Sequence, residues 1–553
     1  MTGAEPLWRQ RRRQDWAAAR RDAFDLCVIG GGISGAGIAW QASTHGLRTL
    51  LVEARDWAGG TSSRSSKLVH GGLRYLPHGE VRLVREVGRE RELLEKLWPH
   101  LVVPLPFLIP VYRGRGMPLW LLGAGVWFYD RLTGVPQKHR RRMLGADAFR
   151  EVAGFVQAVD LQGGVSYYEA VTDDARLVYT VVQAARAAGA VALSRVRAAG
   201  LALTPRGGRV TLEDVESGEP CEVRVRAAVN AAGPWAGELD PAGRRLALAR
   251  GCHLVFPREK LPIDHAIALP SPGGGNTFAV PRGSVTYVGT TDIPFVGDPA
   301  LPDTPDEDVR YLLRVVRKAF PAADLSARDL LGVYSGVRPL VAGKAGRETR
   351  GLSRRRSIEV RRDGLVSVRG GKLTGFRSMA ADTLRLLRRR GVRAVGRPAP
   401  AAATPPAQPP SATPLAERYH VPSCAAAELI ARHGPLAEDV LRYAASRPAG
   451  LEPVVAGAKL LWGEVDWAVE REEVFELSDL LVRRTGLLWF GGLREPEEVL
   501  RPVAERIASR LGWNGDEIER QVAACRRQSH LDRLAELRSL PLEEATAERS
   551  RAT

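Results

Sequence analysis

The sequence predicts an α/β fold, and three observations carry that expectation. Leu26–Ile29 is a short apolar run of strand type, followed by Gly30, Gly31, Gly32, Ile33, Ser34 and Gly35 and then by Ala36–Ala42, which reads as a helix. A second apolar run, Thr49–Val52, ends in Glu53, eighteen positions after Gly35. Between about residues 250 and 340, strand-type segments alternate with glycine and proline turns, which suits an antiparallel sheet laid over the first unit.

The strand, turn and helix fit G-x-G-x-x-G, the signature of a Rossmann-type unit. The first glycine makes the turn, the second admits a pyrophosphate against the backbone, and the third lets helix pack on strand. The pyrophosphate then sits on a helix N-terminus, where unpaired N–H groups attract anions. Glu53 stands where a ribose-binding carboxylate belongs. A glycine-rich turn that binds nothing would leave Glu53 unexplained.

At 553 residues and 44% hydrophobic content the chain is too long for one core and is expected to form several globular domains. Its 80 basic and 63 acidic residues give a net charge of +17, which favours anionic partners: lipid head groups, nucleic acid or phosphorylated substrates. Arginine-rich composition is the bland account of the same number. The five cysteines are scattered, with no C-x-x-C pair, so no metal site and a reducing compartment are expected. No apolar segment follows Trp8–Arg13, so no secretory signal is expected, and residues 1–24 read as a basic helix.

After the second strand, residues 59–76 are rich in glycine and small hydroxyl side chains, the composition of a loop on which a large planar cofactor can lie close to the backbone. Ser65-Ser66-Lys67-Leu68-Val69-His70-Gly71-Gly72-Leu73-Arg74-Tyr75-Leu76, downstream of Val28–Gly37, closely resembles the FAD-dependent, quinone-linked glycerol-3-phosphate dehydrogenases. The resemblance continues in order through Thr172–Val178, Val229–Trp235, Arg250–Val255, Gly289–Asp292 and Ser335–Leu340 to Gly370-Gly371-Lys372-Leu373-Thr374. Two departures stand out. Gly375-Phe376 replace the usual threonine and tyrosine, and Ser353-Arg354-Arg355-Arg356 lacks the usual acidic residue after the first arginine.

The resemblance implies non-covalent FAD held by Gly30, Gly31, Gly32, Ile33, Ser34, Gly35, Glu53, Thr61, Ser62, Ser65, Ser66, Lys67, Leu68, His70, Gly71, Gly233, Gly371, Lys372, Leu373 and Thr374. It also implies oxidation of sn-glycerol 3-phosphate to dihydroxyacetone phosphate, the carbinol hydrogen leaving as hydride and a base taking the hydroxyl proton. Arg74, Arg338 and Lys372 match the positions that hold the substrate phosphate, with Tyr75 as a further donor, and His253 is the candidate base. The same motifs serve a glycerol-3-phosphate oxidase that passes electrons to oxygen, and the sequence leaves the acceptor open. A nucleic-acid-binding scaffold would explain the charge but not the cofactor loop together with Gly-Gly-Lys, so no nucleic acid is expected.

The chain order then suggests interleaved domains. FAD segments are expected at about 25–80, 160–250 and 330–397, and substrate or membrane segments at about 81–159 and 251–329. Residues 80–96 read as a charged amphipathic helix. Leu101–Ile109, Met117–Leu122 and Val126–Tyr129 are apolar, with Arg113, Arg115, Arg131 and Lys138–Arg142 around them. That composition suits a segment lying on an anionic membrane, or buried helices beside a solvated basic loop; the resemblance favours the membrane. The run Gly116–Tyr129 is shorter than the ~18 apolar residues a span needs. Residues 398–414, rich in proline and alanine, read as a linker that cannot form helix, and 415–545 as an all-helical C-terminal cap. The expected partners are glycerol 3-phosphate, a membrane quinone and the anionic inner face of the cell membrane, where a cytoplasmic protein would attach peripherally. A homodimer is the oligomer considered.

Overall fold

The computed structural model describes residues 5–271, 276–342, 356–394 and 408–541, and leaves the side chains of Arg74, His78 and Asn276 undescribed. Ser353, Arg354 and Arg355, residues 398–407 of the expected linker and residues 542–545 of the expected cap therefore lie outside the described residues.

A six-stranded sheet forms the nucleotide unit. Leu26–Ile29 is central and pairs in parallel with Thr49–Glu53 on one side and Ala228–Asn230 on the other. Val191–Ser194 extends one edge in parallel, and Val366–Arg369 followed by antiparallel Ser357–Val360 extends the other. All four residues of Leu26–Ile29 are buried, as a strand covered on both faces requires. Helices Ile33–Thr44, Asp174–Ala187 and Phe376–Arg389 cover one face. The other face packs Cys27, Ile29, Leu50 and Val52 on Val210, Leu212, Val223 and Val225 of a second, four-stranded sheet. In that sheet Pro220–Val225 alternates exposed and buried residues, the period of a strand with one wet face.

The large sheet is mostly antiparallel, as expected over the nucleotide unit. Leu246–Pro257 pairs with both Val285–Gly289 and Gly332–Val341, and Val102–Tyr112 pairs with Leu161–Thr172. Leu161–Thr172 and Gly332–Val341, assigned from sequence to the cofactor segments, hydrogen-bond within the large sheet.

Leu101–Ile109 also differs from expectation. Most of it belongs to a long strand that buries Phe107 and Leu108 in the sheet's core. Helix Leu119–Thr133 behaves differently. Gly123, Val126, Tyr129 and Thr133 are buried, while Trp120 is 68% exposed and Trp127 49%. Among the described residues no helix is long and apolar enough to cross a membrane.

The C-terminal helices share one core with the large sheet. Trp489 stacks on Tyr334 at 5.0 Å between ring centroids, and Phe490 packs edge-on against the same ring. Helix Ala412–Tyr419 begins inside the stretch expected to be non-helical. Pro414 falls in its first turn, where a missing N–H costs nothing. At the other terminus, helix Leu7–Arg21 is pinned by Trp8, whose indole N–H donates to Val469 O at 2.8 Å, and by Arg12, which pairs with Asp214 at 2.8 Å.

Candidate active site

The glycine turn is built by close approach. Gly30 has φ +114°, and a Cβ there would lie 2.5 Å from Ala231 O, so the turn presses on the segment after Ala228–Asn230. A Cβ on Gly35 would lie 1.8 Å from Gly30 O, and only glycine lets helix and turn meet. Gly32 caps helix Ile33–Thr44 with no side-chain acceptor of its own, while Ser62 Oγ accepts the Ile33 N–H at 3.1 Å. The remaining N-terminal N–H groups open onto a cavity of about 580 Å³ bounded by Gly30, Gly32, Ile33 and Ser34.

Glu53 lies on the same cavity and accepts the N–H groups of Gly31 at 2.6 Å and Arg55 at 2.8 Å. Burial raises its pKa, and those two hydrogen bonds oppose the rise. Thr61, Ser62, Ser65, Gly233, Gly371, Lys372 and Leu373 line it as well. At Gly233, with φ +55°, the space a Cβ would enter is open, which leaves room for a ligand against the backbone. A cleft with an open helix N-terminus and, at the end of the neighbouring strand Thr49–Glu53, a carboxylate fits a dinucleotide.

A second cavity of about 250 Å³ shares Thr61, Ser65, Gly370, Gly371, Lys372 and Leu373 with the first. It extends past Ser66, Leu68, His70, Tyr75, Thr374 and Arg338 to an apolar end at Phe107, Tyr167 and Phe278. The Lys372 ammonium lies 3.4 Å over the Tyr75 ring centroid, a cation–π contact. Arg338 donates to Thr290 Oγ1 at 2.8 Å and Thr291 O at 3.1 Å, with Asp292 at 3.5 Å. A Cβ on Gly251 would lie 2.4 Å from the Arg338 guanidinium, so that glycine makes room for it. Thr374 Oγ1 accepts the His70 N–H at 3.2 Å and ties the two loops together. The expected phosphate holders Arg338 and Lys372 thus border one cavity with Tyr75; the Arg74 side chain lies outside the described residues.

Three expected contacts do not line either cavity. Lys67 is buried and pairs with Asp174, also donating to Ser63 O at 2.8 Å, so it braces the loop from behind. Gly71 points its N–H at Glu169, and Gly31 faces Trp57. His253 does not line either cavity. Its Nε2 meets Ser66 Oγ at 3.0 Å and its ring stacks on Tyr334 at 4.4 Å. Burial, with Arg338 and Lys67 nearby, holds its pKa well below the usual imidazole value, so the ring is neutral.

Other lining residues were not expected. Trp235 borders the dinucleotide cleft and Thr290 the smaller cavity. Both sit in motifs that carried the resemblance, which is the signal that could have found them. Glu169 had no such signal. Its buried carboxylate accepts from Gly71 N–H at 2.8 Å, Arg91 at 2.7 Å and Tyr129 hydroxyl at 2.8 Å.

Residues 25–381 match the family model described as FAD dependent oxidoreductase, and residues 403–518 match the C-terminal domain of alpha-glycerophosphate oxidase. Glycerol-3-phosphate dehydrogenase 2 of Mycobacterium tuberculosis is 38% identical over 550 residues, covering 94% of this chain and 90% of that protein. The aerobic glycerol-3-phosphate dehydrogenase of Staphylococcus saprophyticus is 32% identical, covering 90% of this chain and 92% of that one. Among solved structures, the glycerol-3-phosphate dehydrogenase of Bacillus halodurans complexed with FAD superposes with a TM-score of 0.75 at 29% identity, covering 97% of this chain and 99% of that chain.

Proposed function

From the premise that the chain belongs to the FAD-dependent glycerol-3-phosphate dehydrogenase family, we propose that it oxidises sn-glycerol 3-phosphate to dihydroxyacetone phosphate and passes the electrons to a membrane quinone. One observation carries the reading. Arg338, Lys372 and Tyr75 border a small cavity that shares the Gly370–Leu373 wall with the cofactor cleft. Bound FAD supplies the hydride acceptor.

The chain's own residues do the rest. Arg338, held by Thr290 and Thr291, and Lys372, held over Tyr75, receive the phosphate, with Arg74 as the third cation. Phe107, Tyr167 and Phe278 exclude water from the far end of the cavity. The substrate hydroxyl gives its proton to Ser66 Oγ as the Ser66 proton passes to the neutral His253 Nε2, 3.0 Å away. His253 therefore works through Ser66 and does not touch the substrate.

Attachment to the membrane is assigned to helix Leu119–Thr133. Trp120, Leu121, Ala124, Trp127, Phe128 and Arg131 are all exposed. At about 100° per residue they fall within an arc of about 120°. Arg131 is the one charged side chain on that arc, and Arg113, Arg115 and Arg140–Arg142 lie nearby in the chain. Apolar side chains entering the interface add to roughly 1 kcal/mol per nearby basic residue, and salt screens only the second contribution.

The test of the reaction is anaerobic reduction of the purified yellow protein with glycerol 3-phosphate, followed by mixing with a quinone analogue or with oxygen. Rapid reoxidation by the quinone alone supports the proposal. Faster reoxidation by oxygen assigns an oxidase, and no bleaching by the substrate removes the reading. Sedimentation with vesicles decides the membrane assignment. Recovery should fall with salt without vanishing, and no recovery with neutral or anionic vesicles refutes it.

A further inference from the structure

The loop that walls the cofactor cleft has two sides. Glu53, Ala54, Arg55, Gly59 and Gly60 border the cleft, whereas Asp56 and Trp57, each 1% exposed, point the opposite way into the C-terminal helices. Asp56 accepts from Arg484 at 2.7 and 2.9 Å and from Arg483 Nε at 2.6 Å. The Trp57 indole N–H donates to Glu473 Oε2 at 2.7 Å. Arg484 also donates to the carbonyls of Glu472 and Glu473, at 2.8 and 3.3 Å, and so ties these anchors into one unit.

That unit reaches the glycine turn directly. The Trp57 ring packs so closely on Gly31 that a Cβ there would lie 2.5 Å from Cε3, and the Ala58 N–H donates to Gly31 O at 3.1 Å. Gly31 in turn donates its N–H to Glu53. Glu473 also accepts from Arg11 at 2.9 Å, Ser194 Oγ at 3.1 Å and Arg186, which brings the N-terminal helix and the nucleotide sheet onto the same carboxylate. Buried ion pairs are orientation-specific, because a displaced partner leaves an uncompensated charge.

We propose that the C-terminal domain is a clamp on the cofactor site: Glu473, Arg483 and Arg484 are positioning residues that act through Asp56 and Trp57 to hold the glycine turn in its dinucleotide-binding geometry. The clamp rests on the reading of this cleft as the FAD site, and its consequence is that FAD affinity is set partly from residues more than 400 positions away in the chain.

The test measures FAD binding to the full-length protein. Trp57→Phe keeps a ring against Gly31 and removes the hydrogen bond to Glu473. Arg484→Lys keeps the charge and removes the fork. Apoprotein of each is titrated with FAD, and apo and loaded forms are melted. The clamp predicts a rise of about ten-fold or more in the FAD dissociation constant, as loss of one charge-assisted hydrogen bond gives. It also predicts a smaller gap between apo and loaded melting temperatures, with KM for glycerol 3-phosphate in the loaded enzyme unchanged. Lower melting of both forms with unchanged FAD affinity would show that the contacts only glue the domain on, and overturns the proposal. Should Arg484→Lys fail to fold, Trp57→Phe decides alone. A wild-type protein that takes up no FAD would instead remove the cofactor reading itself.

Discussion

Replacing Arg338 with alanine removes a guanidinium that the fold holds toward the small cavity by hydrogen bonds to Thr290 and Thr291. A charge-assisted hydrogen bond to the substrate phosphate contributes about 1.5–3 kcal/mol, and about 1.4 kcal/mol is one decade, so kcat/KM should fall about ten- to 150-fold. Arg338→Lys restores charge but not the planar fork and should recover only part of the loss. The assay is anaerobic stopped-flow bleaching of the flavin against substrate concentration, with flavin content measured first. Glycerol is the control: it lacks the phosphate, so its slow reduction of the flavin should be equal in wild type and variant. Equal kcat/KM for glycerol 3-phosphate in both proteins, with flavin fully bound, would show that the phosphate is held elsewhere.

Three other outcomes are expected. Gly35→Ala places a Cβ 1.8 Å from Gly30 O and should yield protein depleted of flavin absorbance, whereas Gly125→Ala, which meets nothing within 4 Å, should purify yellow; a fully loaded Gly35→Ala protein refutes the packing argument. Thermal stability should decline as pH falls below about 6.5. Burial lowers His530 to about 3 and His100 to about 4, so the unfolded chain takes up protons there that the folded chain refuses. The decline should steepen between about 4.5 and 2. Burial raises Glu464 and Glu473, but Arg432 and Arg186 outweigh it and hold both at about 2, so their stabilisation is complete above the unfolded value and lost below it; a flat melting profile from pH 7 to 4 contradicts this. Trp120→Ser with Trp127→Ser should lower vesicle recovery at high salt, leaving kcat/KM unchanged with a soluble acceptor; unaltered recovery returns that helix face to ordinary solvent exposure.

The nucleotide sheet was legible because its signals are local. Gly30, Gly32 and Gly35 follow a strand and open a helix, and the Cβ distances show why no other residue serves at Gly30 and Gly35. Long-range pairing was less legible. Val102–Tyr112 is apolar and Leu161–Thr172 mixes glycine, tyrosine and polar residues, and nothing in either marks which sheet it joins. Their register fixes it by placing Glu169 opposite Leu105 and Tyr167 opposite Phe107. The basic and apolar stretch from Leu101 to Arg142 likewise combined two cases. Its strand half buries Phe107, Leu108 and Val111 but exposes Val103, and its helical half buries Val126 and Tyr129 while turning Trp120, Trp127 and Phe128 outward.

Within the site, the sequence located the right loops but could not orient every side chain on them. Lys67 has φ +55°, and its buried ammonium runs inward to Asp174 instead of lining a cavity. A cation in a cofactor loop is naturally read as a ligand for phosphate. Here its charge is spent inside the protein, and Asp174 also accepts from Ser65 N–H at 3.0 Å and Ser65 Oγ at 2.7 Å, so one buried carboxylate sets the whole turn. His253 follows the same logic. Its strand lies between Val285–Gly289 and Gly332–Val341 and pairs it with Gly289 and Tyr334, so both neighbours cover the ring. A histidine so placed reaches the cavity only through a hydroxyl, and Ser66, which the sequence offered as a cofactor contact, is that hydroxyl. Removing the Ser66 hydroxyl by Ser66→Ala should therefore slow flavin reduction about as much as His253→Gln does, and the double variant should be no slower than either, because two groups on one proton path do not add.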